Sequence, residues 1–91
     1  MHGRMMVLGV LKNADEQPGR VGIITSRRVG SAVVRNRVRR RLREIVRAAR
    51  PRMISGLWLV VVAKVPSAKA KFSALSDEWM QLARRGSILR D

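Results

Sequence analysis

Between residues 32 and 50 the chain mixes apolar and arginine positions in an order that suits a half-buried α-helix and little else. At 100° per residue, Val34, Val38, Leu42, Ile45, Val46 and Ala49 fall on one arc of about 120°. Asn36, Arg40, Arg43 and Arg47 line the opposite side, flanked by Arg39 and Arg50. Arg35 falls near the apolar arc, but it sits in the first turn, where a long side chain can swing past the helix end. Ser31 is the expected N-cap, and Pro51 cannot continue the helix, which sets bounds of Ala32–Arg50. Such a helix needs an apolar surface to cover its stripe, so the rest of the chain must supply one.

The flanking segments read as that surface. Arg4–Lys12 and Arg20–Ser26 are β-compatible runs, separated by turn residues at Asn13–Gly19. Their proximity in sequence predicts an antiparallel hairpin. Arg27–Ser31 is expected to be a loop broken by Gly30. Leu57–Val65 is a near-continuous apolar, β-branched run, which predicts a strand in the middle of the sheet, buried on both faces. Pro66 and Ser67 open a second helix over Ala68–Arg85, with Phe72, Leu75, Trp79 and Leu82 on its core face and Gly86 as its C-cap. The expected architecture is α+β: one domain over residues 1–91, a small sheet with helices packed on one face. Trp58 is left open between the core and an exposed sheet face where it could stack on a base.

The charge then constrains the partner. The 91 residues carry a formal net charge of +14. Eleven arginines and no lysine lie between Arg27 and Arg52, opposed by Glu44 alone, so this segment holds +10 of the total. Arginine offers a planar fork that grips phosphate oxygens bidentately and stacks on bases. A polyanionic partner follows. The longest apolar run, Leu57–Ala63, is far short of the ~18–20 residues of a membrane span, so no membrane partner is expected. Met5–Leu11 is too short and Gly-interrupted for a secretory leader, so a cytoplasmic location is expected.

Catalytic chemistry by side chains is not expected. The chain has no cysteine, and His2 is its only histidine, placed near an end where disorder is expected. Ser-His triads, thiolate nucleophiles and Cys- or His-based metal sites therefore lack ingredients, and no phosphate-cradling glycine loop is present. Asp15–Glu16 and Asp77–Glu78 read as solubilising surface. A DNA reader would show a helix-turn-helix, zinc ligands or a zipper. None is apparent, which favours RNA over DNA.

The stretch Arg20–Glu44, RVGIITSRRVGSAVVRNRVRRRLRE, resembles the signature region of the bacterial ribonuclease P protein component. Arg20, Gly22, Ser26, Arg27, Arg28, Gly30, Ala32, Val33, Arg35, Asn36, Arg37, Arg39, Arg40, Arg43 and Glu44 fill the pattern without a gap. Leu59–Pro66 is similar to the family's strand-then-proline segment. The resemblance implies a ribosomal-protein-like α/β sandwich with a mixed sheet and a left-handed strand–helix–strand crossover. It implies a protein subunit that binds a catalytic RNA and assists removal of the 5′ leader from precursor tRNA. Chemistry would belong to the RNA and its Mg²⁺, with no cofactor bound by the protein alone.

By position, the resemblance assigns RNA contact to Arg27, Arg28, Arg35, Asn36, Arg37, Arg39, Arg40 and Arg43 and gives Gly30 the task of permitting the loop, while Arg47 joins the expected RNA-binding set from its place on the same basic helix face. Val33, Val34, Val38 and Leu42 would anchor the helix to the sheet. The bland role for Asn36 is a bond to its own helix terminus. Two departures stand out. Family members usually begin with an amphipathic helix that walls a cleft for the single-stranded leader, and that helix is expected to be missing here. The family also tends to place aromatics on the first strand facing this cleft, where this chain offers Met5, Met6 and Gly9. Weakened leader contact is the corresponding expectation. The alternative reading is a structural, ribosomal-type RNA-binding protein with no role in tRNA processing.

Overall fold

In the computed structural model, which describes residues 1–12 and 19–90, three strands and two helices follow the order β1 (Met6–Lys12), β2 (Arg20–Thr25), α1 (Ala32–Ala49), β3 (Leu57–Ala63) and α2 (Phe72–Arg85). The α+β class and the mixed sheet are as expected, but the pairing is not a hairpin. The sheet order is β1-β3-β2, with β3 antiparallel to β1 and parallel to β2. The most apolar strand takes the centre, where both of its edges are hydrogen-bonded, and the two strands nearest in sequence are pushed to the edges. All but the last residue of the turn expected at Asn13–Gly19 lies outside the described residues. At Gly19 itself a side chain would collide with the Leu57 backbone carbonyl.

The register sorts the faces. Leu57, Leu59, Val61 and Ala63 point into the core, joined by Met6 and Leu8 of β1. The helices cover this side alone. Trp58 and Val60 face outward and are exposed. The expectation that Leu57–Val65 is buried on both faces therefore fails: the run is continuously apolar because its uncovered face is apolar too. Met6, named as a cleft position, is fully buried on the opposite side.

Helix α1 lies over the sheet through Val38, Leu42, Ile45, Val46 and Ala49, all buried. Val34 is half-buried, but Val33 is 76% exposed and anchors nothing, because it projects on the arginine side of the first turn. Ser31 Oγ accepts from the Val34 N–H at 3.4 Å, as the N-cap expectation requires. The second helix starts four residues later than expected. Pro66 and its neighbours form a 3-10 turn over Val65–Lys69, and α2 begins at Phe72. Leu75, Trp79 and Leu82 are buried, whereas Phe72, now in the first turn, is 42% exposed.

Residues 1–5 and 88–90 are both tied to the body of the fold. Met1 and Leu8 exchange two backbone bonds and Gly3 N–H donates to Met6 carbonyl, so residues 1–3 pair along the free edge of β1. His2 sits in that bridge with Val7 rather than in a disordered tail. The Glu78 carboxylate accepts the Arg4 and Met5 amides at 2.7 and 2.9 Å, clasping this turn to α2. Glu78 is thus structural rather than merely solubilising. At the other end Met53 bridges Leu89, and Ile54 N–H donates to Ile88 carbonyl at 2.9 Å.

Helix α2 ends with Gly86 as C-cap, yet Gly86 has ordinary helical backbone angles and Ser87 takes the left-handed conformation at φ 55°. Ile88 N–H reaches Ala83 carbonyl and Ser87 N–H reaches Arg84 carbonyl, the two bonds of a Schellman ending. A side chain at φ > 0 carries a steric cost that glycine avoids. Ser87→Gly should therefore raise stability by about 0.5–1 kcal/mol, read as a higher urea midpoint with an unchanged m-value.

Candidate nucleic-acid interface

Burial of one stripe of α1 leaves the other to solvent, and this side collects the predicted residues. Asn36, Arg40, Arg43 and Arg47 are exposed. Arg27 and Arg28 continue the patch from a 3-10 turn, Arg27–Val29, held to the core by buried Val29. Gly30 closes that turn at φ 154°, and a Cβ there would press within 3.0 Å of the Val34 side chain, so glycine is required on two counts. The first turn of α1 holds no acidic residue, so the positive end of the helix dipole adds to the arginines instead of being neutralised.

The predicted set divides in two. Arg35, Arg37 and Arg39 are half-buried on the flanks of α1. Arg37 Nη2 donates to the Ala68 carbonyl at 3.0 Å. One turn on, Arg41, absent from the predicted set, donates through Nη1 to the Ala70 carbonyl at 3.0 Å. These two side chains brace α1 against the segment that leads into α2. Arg39 donates through Nη2 to Asn36 Oδ1, so Asn36 bonds a neighbouring guanidinium rather than the helix backbone. The spacing 37–41 hinted at a pair one turn apart, but no sequence signal names carbonyls about thirty residues away as their partners.

The uncovered sheet face is the second surface. Three rows cross it: Val7–Val62–Ile24, Gly9–Val60–Gly22 and Leu11–Trp58–Arg20. The central row carries two glycines on either side of Val60, so its side-chain layer is thinner at both edges than in the rows beside it. Neither glycine is forced by crowding: a Cβ at Gly22 would meet nothing within 4 Å, and one at Gly9 only ordinary contacts. Trp58 is 43% exposed at one end, with the Arg20 guanidinium 5.8 Å from its ring centroid, within the range of a cation–π contact. Of the three first-strand positions named for this surface, Gly9 lies on it.

Among the described residues no three His, Cys, Asp or Glu side chains gather as a metal site. Glu78 is occupied by the Arg4–Met5 turn. No helix is long and apolar enough to cross a membrane among the described residues.

Comparison with known proteins agrees with this geometry. The family model for ribonuclease P matches residues 1–86. A ribonuclease P protein component from Symbiobacterium thermophilum is 40% identical over 96% of this chain and 76% of its own length. The structure of the Staphylococcus aureus RNase P protein superposes with a TM-score of 0.88 at 20% identity, over 99% of this chain and 82% of that one, a likeness of fold. The Thermotoga maritima RNase P protein gives 0.82 at 25% identity, over 93% of this chain and 80% of that one. A basic helix face, a one-sided mixed sheet and a family match over nearly the whole sequence converge: the chain belongs to the ribonuclease P protein component family, protein subunits of the endoribonuclease that matures tRNA 5′ ends.

Proposed function

We propose that residues 1–91 act as a single RNA-binding domain with two working surfaces: the arginine face of α1 for the catalytic RNA and the open sheet for the 5′ leader of precursor tRNA. The observation that carries the first is the exposure of Arg27, Arg28, Asn36, Arg40, Arg43 and Arg47 on one side of a helix whose other side is packed away. Each guanidinium can displace condensed counterions from the RNA backbone and add to affinity. Arg35, Arg37 and Arg39 extend the contact along the flanks, with Arg37 also bracing α1. Hydrolysis would belong to the RNA partner, where bound Mg²⁺ would supply Lewis-acid chemistry. The protein lowers repulsion between RNA segments and so reduces the Mg²⁺ needed. Assembly takes place in the cytoplasm.

The second surface suits a single strand. The thin side-chain layer at Gly9 and Gly22 admits an extended backbone, and Trp58 with Arg20 offers a stacking end. With Leu11 and Val7 where aromatics would stack more bases, the leader is held less tightly than an aromatic-rich strand would hold it.

Reconstitution tests the whole reading. The chain should accelerate cleavage of precursor tRNA at low Mg²⁺ when added to the ribonuclease P RNA of the same genome. Failure to exceed the RNA alone would leave the ribosomal-type alternative.

Arg40→Ala and Arg43→Ala together should weaken RNA binding and reduce the salt slope by roughly 0.7–0.9 log units per lost phosphate contact. Arg41→Ala, which removes a brace, should lower the urea midpoint with a smaller effect on that slope.

Gly22→Leu should thicken this layer without disturbing the fold. Affinity for precursor tRNA should fall while affinity for leaderless tRNA holds, and equal losses for both would remove the leader from this face.

A further inference from the structure

Beside the arginine face, and sharing Arg43 and Arg47 with it, lies a recess whose apolar floor neither surface above includes. It opens between the edge strand β2 and the C-terminal half of α1, with a volume of about 270 Å³. Val21 and Ile23 of β2 and Val46 of α1 form an apolar floor, and Arg43, Arg47 and Arg50 form one wall. The three arginines are spaced four and three residues apart, so they stand in a row along one ridge of the helix. Arg43 and Arg47 are exposed. Arg50 Nη2 donates to the Gly19 carbonyl at 2.9 Å, which fixes that guanidinium at the mouth while leaving its other donors free for a second partner.

We infer that this recess is a subsite for one unstacked nucleotide of the partner RNA, its base on the Val21–Ile23–Val46 floor and its phosphates on Arg43, Arg47 and Arg50. The inference rests on the reading that the α1 face binds RNA, and it adds a base pocket to a contact otherwise made of phosphates. Three features favour a nucleotide over a plain anion. The floor is apolar, which suits a base and does nothing for a free phosphate. Arginine planes stack on a base and grip its phosphate with the same side chain. Among the described residues no strand pairs with the outer edge of β2 in the order β1-β3-β2, which places its backbone donors and acceptors beside the floor to meet base edges. The volume is just below the ~300–1,000 Å³ of pockets that enclose small ligands, which admits one base and excludes a duplex. Docking here would turn a salt-dependent grip into one that also registers where an RNA loop places its extruded residue.

The test fills the recess without touching charge. Val21→Phe is placed on a half-buried edge-strand position that tolerates an aromatic. Its binding to the ribonuclease P RNA of the same genome is measured across a salt series beside the wild type and Arg40→Ala, a substitution outside the recess. The expected result is about a tenfold loss of affinity, the scale of one base contact, with an unchanged salt slope and an unchanged urea midpoint. Full affinity for Val21→Phe while Arg40→Ala weakens binding would overturn the subsite and leave the RNA face intact. Full affinity for both would overturn the face reading and the subsite with it. If Val21→Phe shifts the urea midpoint, Ile23→Phe fills the same floor from the adjoining core-side position, and the same two outcomes decide.

Discussion

Everything this protein does with its arginines depends on the burial of one side of α1. Six Arg–Arg pairs in this helix stand three or four residues apart, at positions 35–39, 37–40, 37–41, 39–43, 40–43 and 43–47. Each opposes the helix by about 0.2–0.5 kcal/mol, so together they cost roughly 1–3 kcal/mol. Full burial of Val38, Leu42, Ile45 and Val46 contributes about 1.5–3 kcal/mol apiece as an upper bound. The apolar term wins by a factor of several. The helix is therefore held by the sheet, and the charge rides on it. Removing Leu42 would take away more than one contact, because the sheet is what keeps this row of like charges in a helix at all.

Much of this was legible. The 3.6-residue rhythm of residues 34–49 placed α1 and its buried face nearly to the residue. It could do so because the contrast between valine or leucine and arginine leaves no ambiguity about which side is wet. The strands were found, but their pairing was not. Proximity argued for a β1–β2 hairpin, which does not form, whereas the central place expected for β3 from its continuous apolar run is the one it takes. The same property misled the burial reading: Trp58, Val60 and Val62 look like core when a sheet leaves an apolar face uncovered. Phe72 fits the helical repeat of Leu75, Trp79 and Leu82, yet Pro66 and the 3-10 turn delay the helix and put it at the rim.

The candidate interface was legible in its charge and less so in its contacts. Charge clustering and the resemblance over Arg20–Glu44 named arginines that the fold gathers along α1, and the family named by that resemblance is the one whose model matches residues 1–86. What periodicity could not show is that Arg37 and Arg41 spend a guanidinium nitrogen each on carbonyls of the segment before α2, or that Glu78 clasps a turn 73 and 74 residues away in sequence. Partners at such separations leave no local trace. Val33 shows the converse: the pattern suggested an anchor, and the fold leaves it in the arginine field with nothing to pack on.

The oxygen atoms that hold the basic side chains carry one further consequence. Arg37, Arg41, Arg50, Arg90 and Lys64 all donate to backbone carbonyls, and Arg39 donates to an amide oxygen. These are bonds from a cation to a neutral dipole, which added electrolyte screens little, while it relieves repulsion among the charges of the helix. Phosphate contacts behave the opposite way and weaken steeply as electrolyte rises. Ionic strength would thus act in opposite senses on the proposed RNA contact and on the frame that presents it, loosening the one while steadying the other. A polyanion held through these charges could be released without the frame coming apart.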